Sequence, residues 1–386
     1  MQHEQMTGLI LTGGGARAAY QVGVLKAIAE MVPRRSTNPF PVICGTSAGA
    51  FNAVTIAVYA QSYRLGVQYL EKMWTNFTAH DIYRADALGV LNNTVKWFSG
   101  LMLNGIGINR MNHVSMLDSS PLSELLERAF PSEKIQENIN AGVLHALSIS
   151  ASGYGTGQSV NFFQSAPGVK PWQRARRIGV ATLIEAKHIL ASSAIPFIFP
   201  AVRINREYFG DGSMRQLAPV SPALHLGASR VLVIGTGQPD KQSPRVQVDE
   251  YPSLAKIAGH ALDSIFLDSL EVDVERLERI NKTLDLIDDD VRRNLNLRHV
   301  DVLQISPSQS IERLAGKYAR HLPFPIRFLL GGVGAMRRNA SNLVSYLLFE
   351  KAFCTALIDL GYQDAMNRQQ ELIAFLGLSP DASGSE

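Results

Sequence analysis

The chain has 386 residues, and its 37 lysines and arginines against 34 aspartates and glutamates give a formal net charge of +3. That length predicts two domains, or one large domain with additions, and allows a sizeable buried core. The net charge is too small to indicate a nucleic-acid partner.

The cysteines and the N-terminus indicate the cellular compartment. Cys44 and Cys354 lie far apart inside apolar runs, which predicts buried free thiols rather than a disulfide framework. The first residues lack the basic and apolar regions of a secretory signal. The uncharged stretch 36–63 is interrupted by prolines and glycines, so it is a poor candidate for a membrane-spanning helix. We expect a soluble cytoplasmic protein, with peripheral contact to a membrane left open.

The first sixty residues alternate between strand and helix patterns. Apolar strand-like runs cover 8–12 and 40–44, and helical periodicity covers 18–31 and 50–60. This β-α-β-α opening predicts a mostly parallel sheet with helices on both faces.

The middle of the chain continues with mixed patterns. An unclear region over 82–114, broken by glycines, is interpreted as a lid-like insertion. The other predicted elements are helices over 65–77, 119–130, 182–193 and 222–227, strand hairpins at 146–152 with 159–163 and 202–204 with 207–209, and a buried strand at 230–235.

After residue 237 the composition changes. A polar link to about residue 250 leads into a long amphipathic helix, followed by a strand at 300–305 and helices to about residue 376. We therefore expect a catalytic domain over 7–237, a mostly helical extension over 238–378 packed on it, and a disordered tail at 379–386.

The pentapeptide 45–49 has the form G-x-S-x-G and stands between a predicted strand and a predicted helix. This context is typical of a nucleophile elbow with Ser47 at its apex, where Gly45 and Gly49 keep side chains out of a tight turn. The alternative is a structural turn that happens to carry a serine.

A second glycine-rich turn follows the first predicted strand. Gly13, Gly14 and Gly15 could direct backbone N–H groups at a developing oxyanion, with Arg17 as a fixed positive charge nearby. The segment also fits the dinucleotide fingerprint G-x-G-x-x-A, but no acidic residue stands where that fingerprint needs one. A salt bridge at the first helical turn is the alternative role of Arg17.

A serine nucleophile needs a base, and the residues leave two candidates. Asp211 lies in a Gly-Asp-Gly turn after a β-run, which is either a catalytic turn or simply a turn. His225 follows it in the chain order of an α/β-hydrolase triad, but it falls within a predicted helix.

Four blocks of the sequence resemble, in the same order, motifs of the patatin-like phospholipases, the bacterial type especially. The blocks are 12–17, 45–49, 191–200 and 209–212. Over roughly 7–237 the resemblance implies a three-layer α/β/α core, a Ser47–Asp211 dyad without histidine, an acyl-enzyme and an oxyanion hole formed by the glycine loop.

The resemblance also implies phospholipid or other acyl-ester substrates. From the residues themselves we expect no cofactor and no metal. Ala18 and Ser213 depart from the residues common in the family, which bears on substrate scope more than on the dyad. An acyltransferase and a non-catalytic acyl-binding or regulatory protein remain the alternatives.

Two further stretches are ambiguous. The apolar stretch 323–338 has basic flanks and could lie on an anionic membrane surface, although packing on the core is the interpretation we favour. The acidic run 288–290 indicates a solvated helix end rather than a metal site.

Overall fold

The computed structural model describes residues 5–86, 89, 115–238, 254–288, 291, 297–332, 334–335 and 341–378. These residues form ten strands in one sheet. The strands are β1 (Thr7–Leu11), β2 (Val42–Thr46), β3 (Ala146–Gly153), β4 (Ser159–Ser165), β5 (Trp172–Arg174), β6 (Arg177–Ala181), β7 (Val202–Ile204), β8 (Glu207–Asp211), β9 (Arg230–Ile234) and β10 (Asp301–Ile305).

Fifteen α-helices lie in the described ranges. They are α1 (Ala19–Met31), α2 (Ala48–Val58), α3 (Tyr63–Asn76), α4 (Ala79–Ile82), α5 (Ser120–Ala129), α6 (Glu133–Asn140), α7 (Ala186–Ser192), α8 (Ser221–His225), α9 (Leu254–Asp263), α10 (Ser269–Asp285), α11 (Ile311–Tyr318), α12 (Phe324–Gly332), α13 (Ser341–Leu347), α14 (Lys351–Asn367) and α15 (Gln369–Leu376).

The sheet runs in the order β10-β9-β1-β2-β3-β4-β6-β5, with the β7–β8 hairpin attached to β3. The first five strands of this order are parallel to one another. Antiparallel pairs join β3 to β4 and to β8. The carboxyl ends of β1, β2 and β9 therefore meet at one edge, where ligands bind in open α/β sheets.

Side chains alternate between two hydrophobic cores, one on each face of the sheet. In β1, Leu9 and Leu11 enter the larger core and Ile10 enters the smaller one. The larger core includes α1, α2 and α14, and the smaller core includes α8 and α10. This alternation on strands buried on both faces produces the expected three-layer α/β/α arrangement.

The C-terminal part of the chain contacts the core closely. Helices α1 and α14 cross where a Cβ on Gly23 would come within 1.9 Å of the Ile358 carbonyl oxygen, and one on Gly361 within 2.1 Å of the Tyr20 carbonyl oxygen. Strand β10 extends the parallel part of the sheet beside β9. Helices α9 and α10, which lie between β9 and β10 in the chain, are joined by a π-helical turn at Ser264–Asp268.

Most of the predicted elements are present, including the β-α-β-α opening, the long amphipathic helix and the strand at 300–305. The helix predicted over 182–193 begins only at Ala186, and α6, β5 and β6 were not predicted. Both cysteines are free and buried, as expected. No helix in the described ranges is long and apolar enough to span a bilayer.

Several predictions fall wholly or largely outside the described residues. These are the lid-like insertion over 82–114, the polar link before residue 250, the tail at 379–386 and most of the acidic run 288–290. The division of the chain into domains stays a prediction.

Candidate active site

Ser47 lies at a strained turn between β2 and α2. Its φ of +55° is a backbone conformation that L-residues rarely adopt, and the side chain is almost fully buried. Steric crowding explains why both flanking residues are glycine. A Cβ on Gly49 would lie 2.3 Å from the Leu11 carbonyl oxygen, and one on Gly45 would lie 2.6 Å from the Ala50 Cα. The local geometry is that of the predicted elbow, with Ser47 preceding the N-terminus of an 11-residue helix.

A buried serine holds this turn in place. The Ser47 amide donates to Ser192 Oγ at 2.8 Å, and Ser192 Oγ donates to the Ser150 carbonyl at 2.6 Å. Ser192 is on α7 and Ser150 is on β3, so the clamp ties the elbow to two other elements. An elbow held in this way can keep its strain without relaxing.

Asp211 ends β8, opposite Ala151 of β3, and is fully buried. Its amide donates to the Ala194 carbonyl at 2.8 Å, and its Oδ1 accepts from the Ser213 amide at 2.9 Å. Within the described residues its other oxygen, Oδ2, is buried without a full hydrogen bond. A buried carboxylate oxygen with no strong partner remains able to accept a proton from a neighbour.

Burial raises the pKa of Asp211 to about 6. Hydrogen bonding by Ser47 and Ser213 favours the ionised carboxylate and so limits this rise. Ser47 is thus close enough to act as a donor to this carboxylate, although the pair lacks the geometry of a full hydrogen bond. Catalytic hydrogen bonds are often long before substrate is bound. A pKa near 6 leaves the carboxylate mostly ionised at neutral pH and more basic than an exposed aspartate.

The triple-glycine loop lies against the side chains of Ser47 and Ser213. A Cβ on Gly13 would come within 3.0 Å of Ser47 Cβ and 2.5 Å of Ser213 Oγ. Thr236, after β9, donates its hydroxyl to the Gly13 carbonyl at 2.6 Å and fixes the loop. Among the described residues, the amides of Gly14 and Gly15 have no hydrogen-bond acceptor. Free amides beside a serine are the donors that an oxyanion requires.

The side chain of Arg17 is fully buried and paired with the C-terminal part of the chain. Its guanidinium lies 3.2 Å from Asp263 Oδ1 and 3.0 Å from Glu312 Oε1, and its centre is 4.0 Å from the centre of the Tyr346 ring. It also donates to Ser345 Oγ at 2.8 Å. The structure therefore places the Arg17 charge in an ion-pair network just after the glycine loop.

An apolar cavity of about 50 Å³ borders the nucleophile. Ser47 and Gly15 form one part of its wall, and most of the remainder is aromatic or aliphatic. The other lining residues are Ala48, Phe51, Trp74, Phe77, Ile82, Leu122, Ile189, Ser193, Ile195, Phe199 and Phe349. Such a wall fits a hydrocarbon chain attached to a reacting group at Ser47.

The alternative base lies in a different setting. His225 stacks on Trp172, with ring centroids 4.8 Å apart and an interplanar angle of 19°. Burial, with nearby arginine charges, lowers its pKa to about 4. None of the contacts among the described residues joins it to Ser47 or Asp211.

Two residues with a clear part in the site were not predicted from the sequence. Ser192 was noticed only as part of the block 191–200, and Thr236 only as the residue that follows the predicted strand 230–235. Both act through partners far away in the chain, so the local sequence gives no signal of their contacts.

Comparison with known proteins identifies the sequence family. The family described as patatin-like phospholipase matches residues 9–224, which is more than half of the chain. The matched segment contains the elbow, the glycine loop and Asp211.

Two curated proteins are similar to parts of the chain. A cGAMP-activated phospholipase from Pseudomonas aeruginosa is 28% identical over 240 residues, or 59% of this chain and 61% of that protein. Lysophospholipase nte1 from Aspergillus terreus is 50% identical over 54 residues, 14% of this chain and 3% of that protein. The chain thus matches about three fifths of the length of the first relative and a small part of the second.

Among solved structures, human GIVD cytosolic phospholipase A2 in complex with methyl gamma-linolenyl fluorophosphonate aligns with a TM-score of 0.40 and 12% identity. The alignment covers 97% of this chain and 59% of that one.

Proposed function

The chain belongs to the patatin-like phospholipase family, and from that premise we propose that it hydrolyses acyl esters of lipids with Ser47 as nucleophile and Asp211 as general base. The observation that carries the proposal is a strained, clamped serine that borders an apolar cavity and has a buried carboxylate beside it. The raised pKa of that carboxylate supports its role in proton transfer.

In the first half-reaction, Ser47 Oγ attacks the ester carbonyl carbon while its proton passes to Asp211. The negative charge that develops on the carbonyl oxygen is stabilised by the amides of Gly14 and Gly15, with Gly13 shaping the loop. The intermediate then collapses, and the ester C–O bond breaks. The alcohol leaves with the proton from Asp211, and the acyl group stays on Ser47.

In the second half-reaction, Asp211 takes a proton from water, and the water oxygen attacks the acyl carbonyl carbon. Collapse of this intermediate breaks the bond to Ser47 Oγ, returns the proton to the serine and releases the fatty acid. Arg17 contributes by holding the loop, because its charge is already paired with two carboxylates.

The substrate class follows from the cavity. Its lining is apolar except for the edge at Ser47, Gly15 and Ser193, so we propose that it holds the acyl chain while the ester lies at Ser47. Phospholipids and simpler acyl esters share that chain, and the family supports a phospholipid.

The direct test uses a fluorophosphonate probe and a panel of acyl esters. Ser47→Ala should abolish labelling and lower kcat by about 10⁴-fold or more, and Asp211→Asn should lower kcat by about 10³-fold, with both variants folded. His225→Ala is the matched control and should keep wild-type turnover. Loss of activity in His225→Ala with retention in Asp211→Asn would overturn the assignment, and transfer of the acyl group to an acceptor other than water would identify an acyltransferase.

A further inference from the structure

Positive charge is concentrated in one segment that the proposed mechanism does not use. Between Glu312 and Glu350 the sequence has six lysines and arginines and no aspartate or glutamate. Because the net charge of the whole chain is +3, the remaining residues together carry −3. A protein with little overall charge therefore has a strongly basic segment over about a tenth of its length.

The described part of this segment contains the helices α11, α12 and α13, and residues 319–323 connect the first two, α11 and α12. Their inner sides are anchored in the larger core by Ile311, Ala315, Leu322, Ile326 and Leu330. Their outer sides carry exposed residues of two kinds. We call Arg313, Lys317, Arg320, Phe324 and Phe328 the aromatic-basic patch.

The two phenylalanines of the patch are unusually exposed. Phe324 is 70% exposed and Phe328 is 76% exposed, and their ring centroids are 6.5 Å apart on successive turns of α12. Residues four apart on a helix project from the same face. Two large apolar rings are therefore presented side by side to solvent, where their burial by a partner would be favourable.

The basic residues that precede the rings in the chain, and Arg327, whose guanidinium lies 5.9 Å from the centre of the Phe324 ring, indicate what that partner is. No acidic side chain within the described ranges forms a salt bridge with Arg313, Lys317 or Arg320. The nearest acid in sequence, Glu312, is already paired with the buried Arg17. Exposed aromatic rings that follow a run of unpaired, exposed basic side chains match the interface of an anionic bilayer, with rings among the acyl chains and cations at the phosphates.

Helix α11, which carries part of the patch, is linked to a wall of the cavity through Tyr318. The ring of Tyr318, at the end of α11, packs against Phe353 at a centroid distance of 6.2 Å. Phe349, four residues before Phe353 and just before the start of α14, lines the cavity beside Ser47. Docking through the patch would thus bring this side of the cavity close to lipid.

We propose that the aromatic-basic patch is the surface by which the protein docks on an anionic phospholipid bilayer. The purpose of docking, access to lipid esters, rests on the proposed function, whereas the docking itself does not. It can be measured on a protein that cannot turn over substrate.

The test measures sedimentation of the full chain carrying Ser47→Ala with phosphatidylcholine vesicles, with and without phosphatidylglycerol. The protein should bind vesicles that contain phosphatidylglycerol and dissociate as salt is raised. Adding Phe324→Ser and Phe328→Ser should weaken partitioning by about tenfold or more. Adding Lys317→Gln and Arg320→Gln should weaken it by at least about tenfold, since each basic residue near such a surface contributes about fivefold.

Arg34→Gln with Arg35→Gln is the matched control, because these exposed arginines lie outside the patch, and it should bind like the parent. Equal binding to both vesicle types, or unchanged binding after the two phenylalanine substitutions, would overturn the proposal. A dimer in light scattering that these substitutions dissociate would also overturn it, because the patch would then join two copies.

Hydrolysis of a short, water-soluble ester by patch variants that retain Ser47 separates the two proposals. These variants should match the wild type in that assay. Absence of soluble-ester hydrolysis in the wild type would count against the proposed function and leave the vesicle result to decide on docking.

Discussion

The pKa of a single carboxyl group, that of Asp211, governs how the candidate site responds to pH. The base must be ionised to accept the Ser47 proton, and burial raises its pKa to about 6. We therefore predict that kcat/KM for a soluble ester is constant above about pH 7 and falls about tenfold per pH unit below about pH 6. The measurement is a pH–rate profile with tryptophan fluorescence as a check on folding. A profile that stays flat down to pH 5 would contradict Asp211 as the base.

The Ser192 hydroxyl offers a second prediction for one residue. Ser192→Ala removes the acceptor of the buried Ser47 amide and a donor to the Ser150 carbonyl, which should destabilise the fold by about 2–4 kcal/mol. Because the elbow then relaxes, kcat should fall by at least about tenfold, with KM little changed. Urea unfolding and steady-state kinetics measure the two effects.

Ser193→Ala is the matched control for stability, since it removes the neighbouring hydroxyl and spares the clamp. Because Ser193 lines the cavity, the two variants are compared in unfolding and not in kinetics. The free energy of unfolding of Ser193→Ala should stay within about 0.5 kcal/mol of the wild type. An equal loss of stability in the two variants would show that the clamp does not hold the elbow.

Single residues in local motifs could be located from the sequence, and residues in long-range contacts could not. The geometry around Ser47, Gly45 and Gly49 depends on a strand, a turn and a helix that are contiguous in the chain. The contact between Ser192 and Ser47 joins residues 145 positions apart, so it depends on how the sheet assembles. The sequence left two roles open for Arg17, a positive charge near the oxyanion or a salt bridge. Only the positions of Asp263 and Glu312, which are distant in the chain, decide between them.

Between secondary-structure elements, the ion pairs of Arg17 connect the start of α1 to the C-terminal helices. Asp263→Asn removes one of two carboxylates from a fully buried guanidinium, and we predict a loss of about 2 kcal/mol in unfolding free energy because Glu312 remains. The glycine loop should become less well positioned, which lowers kcat more than it raises KM. Urea unfolding and kinetics on the same samples provide both measurements.

The control for that substitution is Asp359→Asn, at an exposed position on α14, which should change neither quantity. A stability loss in Asp263→Asn with unchanged kcat would mean that the network supports only the fold.

Elements with a strong periodic signal were predicted well, and short or irregular ones were not. Strand β5 has three residues, too few to display alternation. Helix α12 was anticipated within an apolar stretch that we expected to pack on the core. Only its Ile326 side does so, because the orientation of a helix is set by its neighbours.

For the whole molecule, the crossing of α1 and α14 fastens the two ends of the chain together. Gly23→Ala would place a methyl group 1.9 Å from the Ile358 carbonyl oxygen, so the helices must separate. We predict a loss of about 3 kcal/mol in unfolding free energy, measured by urea denaturation. Gly316→Ala, in a helix with open space around it, is the control and should raise stability by about 0.5–1 kcal/mol.

Equal stability of Gly23→Ala and the wild type would mean that this crossing adjusts at little cost.

The class of fold could be predicted from the order of strands and helices alone. The neighbours of β10 and α14 could not, because pairing between distant segments is decided by which apolar faces remain uncovered.

The two buried thiols have a practical consequence. Burial raises the pKa of Cys44 and of Cys354, so neither forms the reactive thiolate while the chain is folded. Cys44 lies in the central strand β2 and Cys354 in α14, at opposite ends of the sequence. Alkylation by iodoacetamide therefore requires the folded structure to open around each thiol, and the rate at which each cysteine is modified measures local or global unfolding at two known positions of the protein.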